Sequence, residues 1–340
     1  MLGYRIVFPE VRKAALESYT VPDLQPDEVL IANEYSVLSA GTERANLLGL
    51  PNTPRLFPVH MGYCAVGRIL ERGSGVQNLA AGDRVIVYHG GHQTYTVMKA
   101  EGLVQVDDRV ASLDAAFTVI ASMALQGLRK TRLELGESVL IMGQGLLGIF
   151  ATQLARLDGG LPVVAMDFNP QRRELARQLG ADYVFAPDEP ELAAKIKKIT
   201  RGRGMNAVIE VTGSARALEQ ALELAAWEGR VSLLGCTRIS DRPIDFYQMV
   251  HKPGVSIIGA HNFVRPKVDS YPGYWTRQDD YRVLLELMAT GRLQVRPIIS
   301  AVVPPSEAPA IYSRLAEDAE APLGVVFDWS RLSGAAAGQS

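Results

Sequence analysis

The sequence has only two cysteines, Cys64 and Cys236, among its 340 residues. Because they lie far apart and fit no paired spacing, they predict neither a disulfide framework nor a structural zinc site rich in cysteine. A chain of this length suggests two domains, each large enough to bury its own core. Folding is therefore expected to need no disulfide and no metal.

The sequence also lacks blocks of one charge and long apolar runs. Its 35 Lys and Arg residues nearly balance its 37 Asp and Glu residues, which gives a formal net charge of −2. Clustered positive charge supplies much of the affinity of nucleic-acid-binding proteins, so nucleic acid is not an expected partner. No stretch approaches the ~18–20 apolar residues of a membrane span, and the charged first residues do not resemble a signal segment. We expect a soluble cytoplasmic protein without membrane contacts.

The pattern of apolar residues changes near Ser122. From about Tyr4 to Val106, short apolar runs are separated by Gly, Pro and Asp, which is typical of a β-rich domain. After Ser122, apolar runs alternate with helical stretches, which predicts βαβ units and a parallel sheet. The strands predicted in this part are 138–142, 163–166, 183–185, 207–211, 231–234 and 255–258.

A glycine motif, Gly143-Gln144-Gly145-Leu146-Leu147-Gly148, directly follows the first of these strands and opens an apolar helix. Gly143 permits a tight turn, Gly145 lets a pyrophosphate approach the backbone, and Gly148 lets helix and strand pack closely. Asp167 ends the next strand, about 20 residues further on, where its carboxylate would bind the adenosine ribose hydroxyls. The motif predicts a dinucleotide site that includes Leu146 and Leu147.

The choice between NAD and NADP depends on two residues. The carboxylate of Asp167 would repel a 2′-phosphate, which favours NAD. Arg172 keeps NADP as the less favoured alternative, because its guanidinium could receive that phosphate.

Several segments resemble the medium-chain dehydrogenase/reductase family. Gly82-Asp83-Arg84-Val85, followed by Gly90-Gly91-His92-Gln93-Thr94-Tyr95, is similar to the family's G-D-R-V … G-G-x-x-x-Y stretch, and 173–181 and 211–214 resemble it too. The resemblance implies an α/β fold with a GroES-like β-rich catalytic domain (1–122, completed by 265–330) and a Rossmann domain (123–264). It also implies a homodimer or homotetramer and cofactor contacts from Thr212, Gly235 and Ala260. The last residues, 331–340, are expected to be disordered.

The chain departs from the zinc alcohol and polyol dehydrogenases of this family at the metal ligands. Where they carry Cys-Gly-Thr-Asp it reads Ala40-Gly41-Thr42-Glu43, and where they carry Gly-His-Glu it reads Gly62-Tyr63-Cys64. The four-cysteine lobe is missing as well. Both zinc sites are therefore expected to be lost, and no metal is predicted. A substitute ligand set drawn from Glu43, Cys64, His60, His89 and His92 is the alternative.

Without zinc, side chains must act on the alcohol oxygen as base or hydrogen-bond donor. Thr42 matches the family's proton-relay hydroxyl, and Tyr63 replaces a zinc-binding histidine. Glu43 could be a base or could orient Tyr63, and His261 follows the family's segment beside the nicotinamide. The alternative for each is structural: a capping threonine, a packed tyrosine, a salt-bridged carboxylate or a loop histidine.

The segment 261–277 is predicted to be an inserted surface loop that mixes aromatic rings with hydrogen-bond donors. Aromatic faces pack on sugar C–H groups while amides and guanidinium groups bind hydroxyls, so the segment suits a polyhydroxylated ligand. The predicted substrate contacts are His60, Asn262, Arg265, Tyr274 and Trp275. A dimer-contact loop is the alternative.

These observations predict a zinc-independent, NAD-dependent oxidoreductase that transfers hydride between nicotinamide and a secondary alcohol or ketone. The expected substrate is a sugar, cyclitol or polyol. A zinc-free quinone or enoyl reductase using NADPH is one alternative. A bacteriochlorophyllide-type dehydrogenase, which 40–43 also resembles, is another. A nucleotide-binding module without catalysis is the third.

Overall fold

The structure is a computed structural model that describes residues 1–317 and 322–332. The tail predicted to be disordered, 331–340, falls outside the described residues from position 333 onward. No helix within the described ranges is both long and apolar enough to cross a membrane.

The strands and helices follow the order expected from the sequence. In chain order the strands are β1 (Leu2–Glu10), β2 (Lys13–Thr20), β3 (Glu28–Val37), β4 (Val59–His60), β5 (Cys64–Arg72), β6 (Arg84–Tyr88), β7 (Tyr95–Lys99), β8 (Val139–Met142), β9 (Val163–Met166), β10 (Tyr183–Phe185), β11 (Met205–Glu210), β12 (Ala225–Leu233), β13 (Ser256–Gly259), β14 (Ala301–Val303) and β15 (Val325–Asp328). The α-helices are α1 (Ala40–Leu47), α2 (Ser112–Ala115), α3 (Thr118–Thr131), α4 (Leu146–Leu157), α5 (Pro170–Gln178), α6 (Leu192–Ile199), α7 (Ala215–Leu224), α8 (Arg277–Ala289) and α9 (Ala308–Glu317).

Contacts divide the chain into two compact units. The first contains Met1–Val119, Tyr281–Gly291 and the described residues from Val295 onward, and the second contains Ile120–Asp280 and Arg292–Gln294. The boundaries predicted from the sequence, 122/123 and 264/265, stay predictions.

The first unit is built from antiparallel sheets. One sheet has the order β2-β1-β4, and the other has the order β14-β15-β3-β5-β6, with β7 paired to β3. Within the second sheet only the β14 and β15 pair runs parallel. Its apolar core includes Phe8, Leu47, Tyr312 and Phe327, all fully buried. The Tyr312 and Phe8 rings meet edge to face with centroids 4.9 Å apart, a geometry that aromatic pairs favour.

The second unit contains a parallel sheet with the order β10-β9-β8-β11-β12-β13. Every residue of β8 and of β9 is buried, as expected for strands covered on both faces. The chain runs outward from β8 through β9 to β10, then returns to β11 on the other side of β8. The strand order therefore reverses between β8 and β11, and ligands of such sheets bind beyond the carboxyl ends of the strands at this point.

Candidate functional site

The glycine motif forms the turn between β8 and α4. Gly143 has φ +93°, a left-handed conformation that glycine adopts without strain. A Cβ on Gly148 would lie 1.8 Å from the carbonyl oxygen of Gly143, so the helix packs against the turn only with glycine there. A Cβ on Gly145 would meet no atom within 4 Å. The space beside Gly145 at the N-terminus of α4 therefore fits a pyrophosphate, which the first helical N–H groups would bind.

Asp167 is tied to this turn through both carboxylate oxygens. Its Oδ2 accepts a hydrogen bond from the backbone N–H of Gln144 at 2.7 Å, and its Oδ1 accepts one from the N–H of Asn169 at 2.8 Å. Each carboxylate oxygen keeps a further lone pair for a ribose hydroxyl. Arg172 lies in the first turn of α5, where its backbone N–H donates to Asn169 Oδ1 at 3.1 Å.

A buried carboxylate, Glu210, organises the turn after β11. It accepts hydrogen bonds from the Thr212 N–H at 2.6 Å, from the Thr212 hydroxyl, and from the Gly213 N–H at 3.2 Å. Its backbone carbonyl oxygen accepts the N–H of Gly235 at 2.8 Å. Burial raises the pKa of Glu210, and these hydrogen bonds partly offset the rise. Glu210 was not among the predicted site residues, although it directly precedes Val211-Thr212-Gly213 in the sequence.

The remaining predicted cofactor residues lie at carboxyl ends of neighbouring strands. Gly235 follows β12, and a Cβ there would lie 2.5 Å from the backbone nitrogen of Gly213. Ala260 follows β13, is buried, and donates its N–H to Leu233 at 3.1 Å. The predicted cofactor residues therefore share one edge of the parallel sheet, as a dinucleotide site requires.

The predicted site residues of segment 261–277 differ in how far they are exposed to solvent. His261 is exposed, its carbonyl oxygen accepts from Gln126 Nε2 at 3.0 Å, and its Nδ1 accepts the Phe263 N–H at 3.2 Å. Asn262 is partly exposed, and its Oδ1 accepts from Arg265 Nε at 3.0 Å.

Arg265, Tyr274 and Trp275 fasten this segment to α3. The Arg265 side chain is only 6% exposed and pairs with Asp280, and its Nη2 donates to the Ser122 carbonyl oxygen at 2.6 Å. The Trp275 ring lies 3.9 Å from the Arg129 guanidinium, and the Tyr274 ring lies 4.9 Å from Lys130 Nζ. These contacts engage Arg265 within the protein, so its placement favours a structural role over the predicted substrate contact.

A second polar cluster lies in the first unit, beneath the N-terminus of α1. Glu43 is fully buried, and His92 Nε2 lies 3.2 Å from each of its carboxylate oxygens. The Tyr312 hydroxyl donates to Oε2, and the Ser39 backbone N–H donates to Oε1 at 2.9 Å. Burial alone would raise the pKa of Glu43, but His92, Tyr312 and Ser39 together hold it below its ordinary value. Glu43 is thus an ionised carboxylate engaged by buried partners, not a base open to substrate.

The cluster continues inward from His92. The Ser36 hydroxyl lies 2.7 Å from His92 Nδ1 and accepts the indole N–H of Trp329 at 2.9 Å. Ser36, His92 and Trp329 are all buried. Their hydrogen bonds fix the ring of His92, so that the other ring nitrogen faces Glu43.

Tyr63 and Thr42 lie at the partly exposed side of the same helix terminus. Gly62 has φ +106°, and a Cβ there would lie 2.2 Å from the backbone nitrogen of His92, so the glycine permits the approach that sets Tyr63 in place. The Tyr63 hydroxyl is hydrogen-bonded to the Ser39 hydroxyl. Burial raises the pKa of Tyr63 well above its ordinary value, although the hydroxyls of Ser39 and Thr42 act to lower it. Tyr63 is therefore a neutral hydrogen-bond donor at neutral pH.

His60 is set apart from this group by its contacts. It lies on β4, its ring is 40% exposed, and its Nε2 is 3.3 Å from Glu17 Oε1. Burial opposes ionisation of Glu17, but Arg5 and His60 together lower its pKa. His60 is therefore engaged with a surface carboxylate.

The donors present do not fit a zinc site. Within residues 1–317 and 322–332, no three or more His, Cys, Asp and Glu side chains are grouped so that they could hold a metal ion. Ala40 offers no donor atom, and Glu43 and His92 bind each other and further protein groups. A zinc ion needs about three protein ligands with free lone pairs.

Comparisons with known proteins agree with this architecture. The family model for zinc-binding dehydrogenases matches residues 147–280. L-threonine 3-dehydrogenase of Thermococcus kodakarensis is 30% identical over 279 residues, which cover 72% of this chain and 74% of that protein. D-guloside 3-dehydrogenase of Escherichia coli is 27% identical over 272 residues, which cover 78% and 77%.

Solved structures share the fold. A Sinorhizobium meliloti protein solved with bound NADP superposes with a TM-score of 0.82 at 22% identity, covering 96% of this chain and 99% of its own. At 22% identity, this structural similarity shows the fold alone. The predicted α/β class, with a β-rich domain and a Rossmann domain, is confirmed.

Proposed function

Because the chain belongs to the medium-chain dehydrogenase/reductase family of alcohol dehydrogenases and reductases, we propose that it is a zinc-independent, NAD-dependent member. It transfers hydride between nicotinamide and a secondary alcohol or ketone of a sugar, cyclitol or polyol. One observation carries the proposal: Tyr63, at the position of a family zinc ligand, holds a hydroxyl bonded to Ser39 beside Thr42.

The residues that would bind the cofactor lie in the second unit. The bound nicotinamide supplies the hydride chemistry. The turn 143–148 would bind the pyrophosphate through backbone N–H groups at the start of α4, and Asp167 would accept the ribose hydroxyls. The carboxylate of Asp167, held between two N–H groups, supports NAD over NADP because a 2′-phosphate would meet a fixed negative charge.

The proton half of the reaction belongs to Tyr63. In the reductive direction the phenol donates a hydrogen bond to the carbonyl oxygen and polarises it. When the carbonyl carbon is reduced, the phenol proton would pass to the carbonyl oxygen, and the phenolate would regain a proton from water. Thr42 is the second hydroxyl available to the substrate oxygen.

Two observations support the substrate class. One relative is named D-guloside 3-dehydrogenase. Among the loop candidates, His261 is exposed and Asn262 is partly exposed. The homodimer or homotetramer and the cytoplasmic location stay predictions.

A turnover panel tests the proposed function. The purified protein is assayed with NAD and with NADP on sorbitol, myo-inositol, methyl glucosides and cyclohexanol, and in reverse with NADH or NADPH on ketones, quinones and enones. We expect NAD-linked oxidation of at least one polyhydroxylated compound, with kcat/KM higher for NAD than for NADP. Activity confined to NADPH and enones or quinones would replace the proposal with the reductase alternative.

A further inference from the structure

Ser39 occupies the N-cap position of α1 but does not cap the helix with its side chain. It lies directly before Ala40, and its hydroxyl makes no hydrogen bond to a backbone N–H of the first turn. Serine is among the preferred N-cap residues because its oxygen normally accepts such an N–H. In this structure the hydroxyl is bonded to Tyr63 instead. The Ser39 hydroxyl therefore contacts Tyr63, the candidate acid, instead of making the usual capping hydrogen bond.

The backbone of Ser39 is fixed by a hydrogen bond to a buried carboxylate. Its N–H donates to Glu43 Oε1 at 2.9 Å, and Glu43 is fixed by His92 and Tyr312. These three partners are fully or almost fully buried. The cluster beneath α1 therefore fixes the position of Ser39, so that its hydroxyl stays beside the Tyr63 hydroxyl.

The direction of this hydrogen bond decides whether Tyr63 can serve the substrate. Each hydroxyl carries its own proton, but the hydrogen bond between them uses only one, so either serine or tyrosine is the donor. If Tyr63 donates to Ser39, its proton points away from the substrate oxygen. Among the residues that the structure describes, Tyr63 is the one hydrogen-bond partner of the Ser39 hydroxyl. When a carbonyl oxygen accepts the proton of Tyr63, the proton of Ser39 therefore has the Tyr63 oxygen as its acceptor.

We propose that Ser39 is the positioning residue of the reaction: its hydroxyl donates to the Tyr63 oxygen and so directs the Tyr63 proton to the substrate. The inference rests on the proposed function of Tyr63. The same hydrogen bond stabilises the negative charge that develops on the phenol oxygen as its proton leaves, because a donor already aimed at that oxygen needs no reorganisation. Glu43 and His92 act indirectly, because they fix the backbone of Ser39.

Three variants separate this role from helix capping. Ser39→Thr keeps the hydroxyl, Ser39→Ala removes it, and Ser39→Asp supplies an equally good cap that accepts hydrogen bonds but does not donate at neutral pH. We expect kcat to stay close to wild type in Ser39→Thr and to fall about 10–100-fold in Ser39→Ala. In Ser39→Asp, kcat should fall at least as far because the carboxylate does not donate a hydrogen bond, and the new charge close to the ionised Glu43 should also lower the melting temperature. KM for NAD should be unchanged in all three.

The results that overturn the proposal differ from those that overturn the proposed function. Wild-type kcat in Ser39→Ala or in Ser39→Asp would show that the hydrogen bond between Ser39 and Tyr63 is dispensable. If the wild type turns over no compound, the proposed function fails. Ligand binding then tests whether the Ser39 hydroxyl directs the proton of Tyr63. The probe is then cyclohexylformamide, whose oxygen accepts hydrogen bonds, titrated into NADH-loaded protein. A dissociation constant about tenfold weaker in Ser39→Ala but not in Ser39→Thr supports the assignment, and equal constants refute it.

Discussion

Tyr63→Phe is expected to lower kcat by about 10²–10⁴-fold, the range that general acid catalysis contributes. Phenylalanine keeps the ring beside His89, whose centroid lies 5.9 Å from that of Tyr63, but removes the hydroxyl bonded to Ser39. The carbonyl oxygen then has no phenol proton to accept. The measurement is steady-state kinetics with NAD and the best substrate of the panel, together with KM for NAD, which should not change.

A matched tyrosine controls for the loss of a phenol group in general. Tyr183 opens β10 in the second unit, and its ring is 44% exposed. Tyr183→Phe should keep the wild-type kcat and KM. A Tyr63→Phe protein with kcat within a few-fold of wild type would contradict the assignment of Tyr63 as proton donor and would shift attention to Thr42.

Glu43→Gln is expected to destabilise the protein by about 3–5 kcal/mol, the usual effect of breaking a buried charged pair. All its hydrogen-bonding partners, Ser39 N–H, His92 Nε2 and the Tyr312 hydroxyl, approach as donors. A glutamine presents one acceptor oxygen and an NH₂ group, so a donor would face a donor inside the core. Unfolding in urea, followed by circular dichroism at pH 7, measures the loss.

The same variant should change the response to acid. The pKa of Glu43 in the folded protein lies below its ordinary value of 4.5. Its contribution to stability is therefore complete above that value and is lost as the pH falls through the lower, folded pKa. Glu43→Gln should show a correspondingly smaller loss of stability on acidification below pH 4.5.

Glu223→Gln, on an exposed position of α7, should stay within about 0.5 kcal/mol of wild type. Equal stability of the two variants would contradict the buried cluster.

The fold was accessible from sequence because its signals are local. The buried strands of the second unit appear as apolar runs, and the turn between β8 and α4 carries its glycines in six consecutive residues. The conformation of Gly143 and the contact between Gly148 and Gly143 bear out the reasons given for these residues. The helix start at Pro170 likewise follows the Asn169 cap, whose side chain accepts two N–H groups.

The polar clusters were not accessible, because their members are distant in sequence. Glu43 meets Tyr312 only after the C-terminal part of the chain packs beside α1, and no local pattern links those positions. Arg265 was predicted as a substrate contact, and no local pattern indicated that its guanidinium pairs with Asp280. Ser39 was not among the predicted site residues, because the contact of its hydroxyl with Tyr63 depends on tertiary packing.

Zinc content measured together with turnover tests the central claim most directly. The protein is purified without added metal, and its zinc content by mass spectrometry and its NAD-linked kcat are measured before and after dialysis against a chelator. We predict well below one zinc per chain and a kcat that the chelator leaves unchanged. One zinc per chain, lost with activity on chelation and restored with activity when zinc is added, would contradict a reaction that depends on Tyr63 in place of the metal.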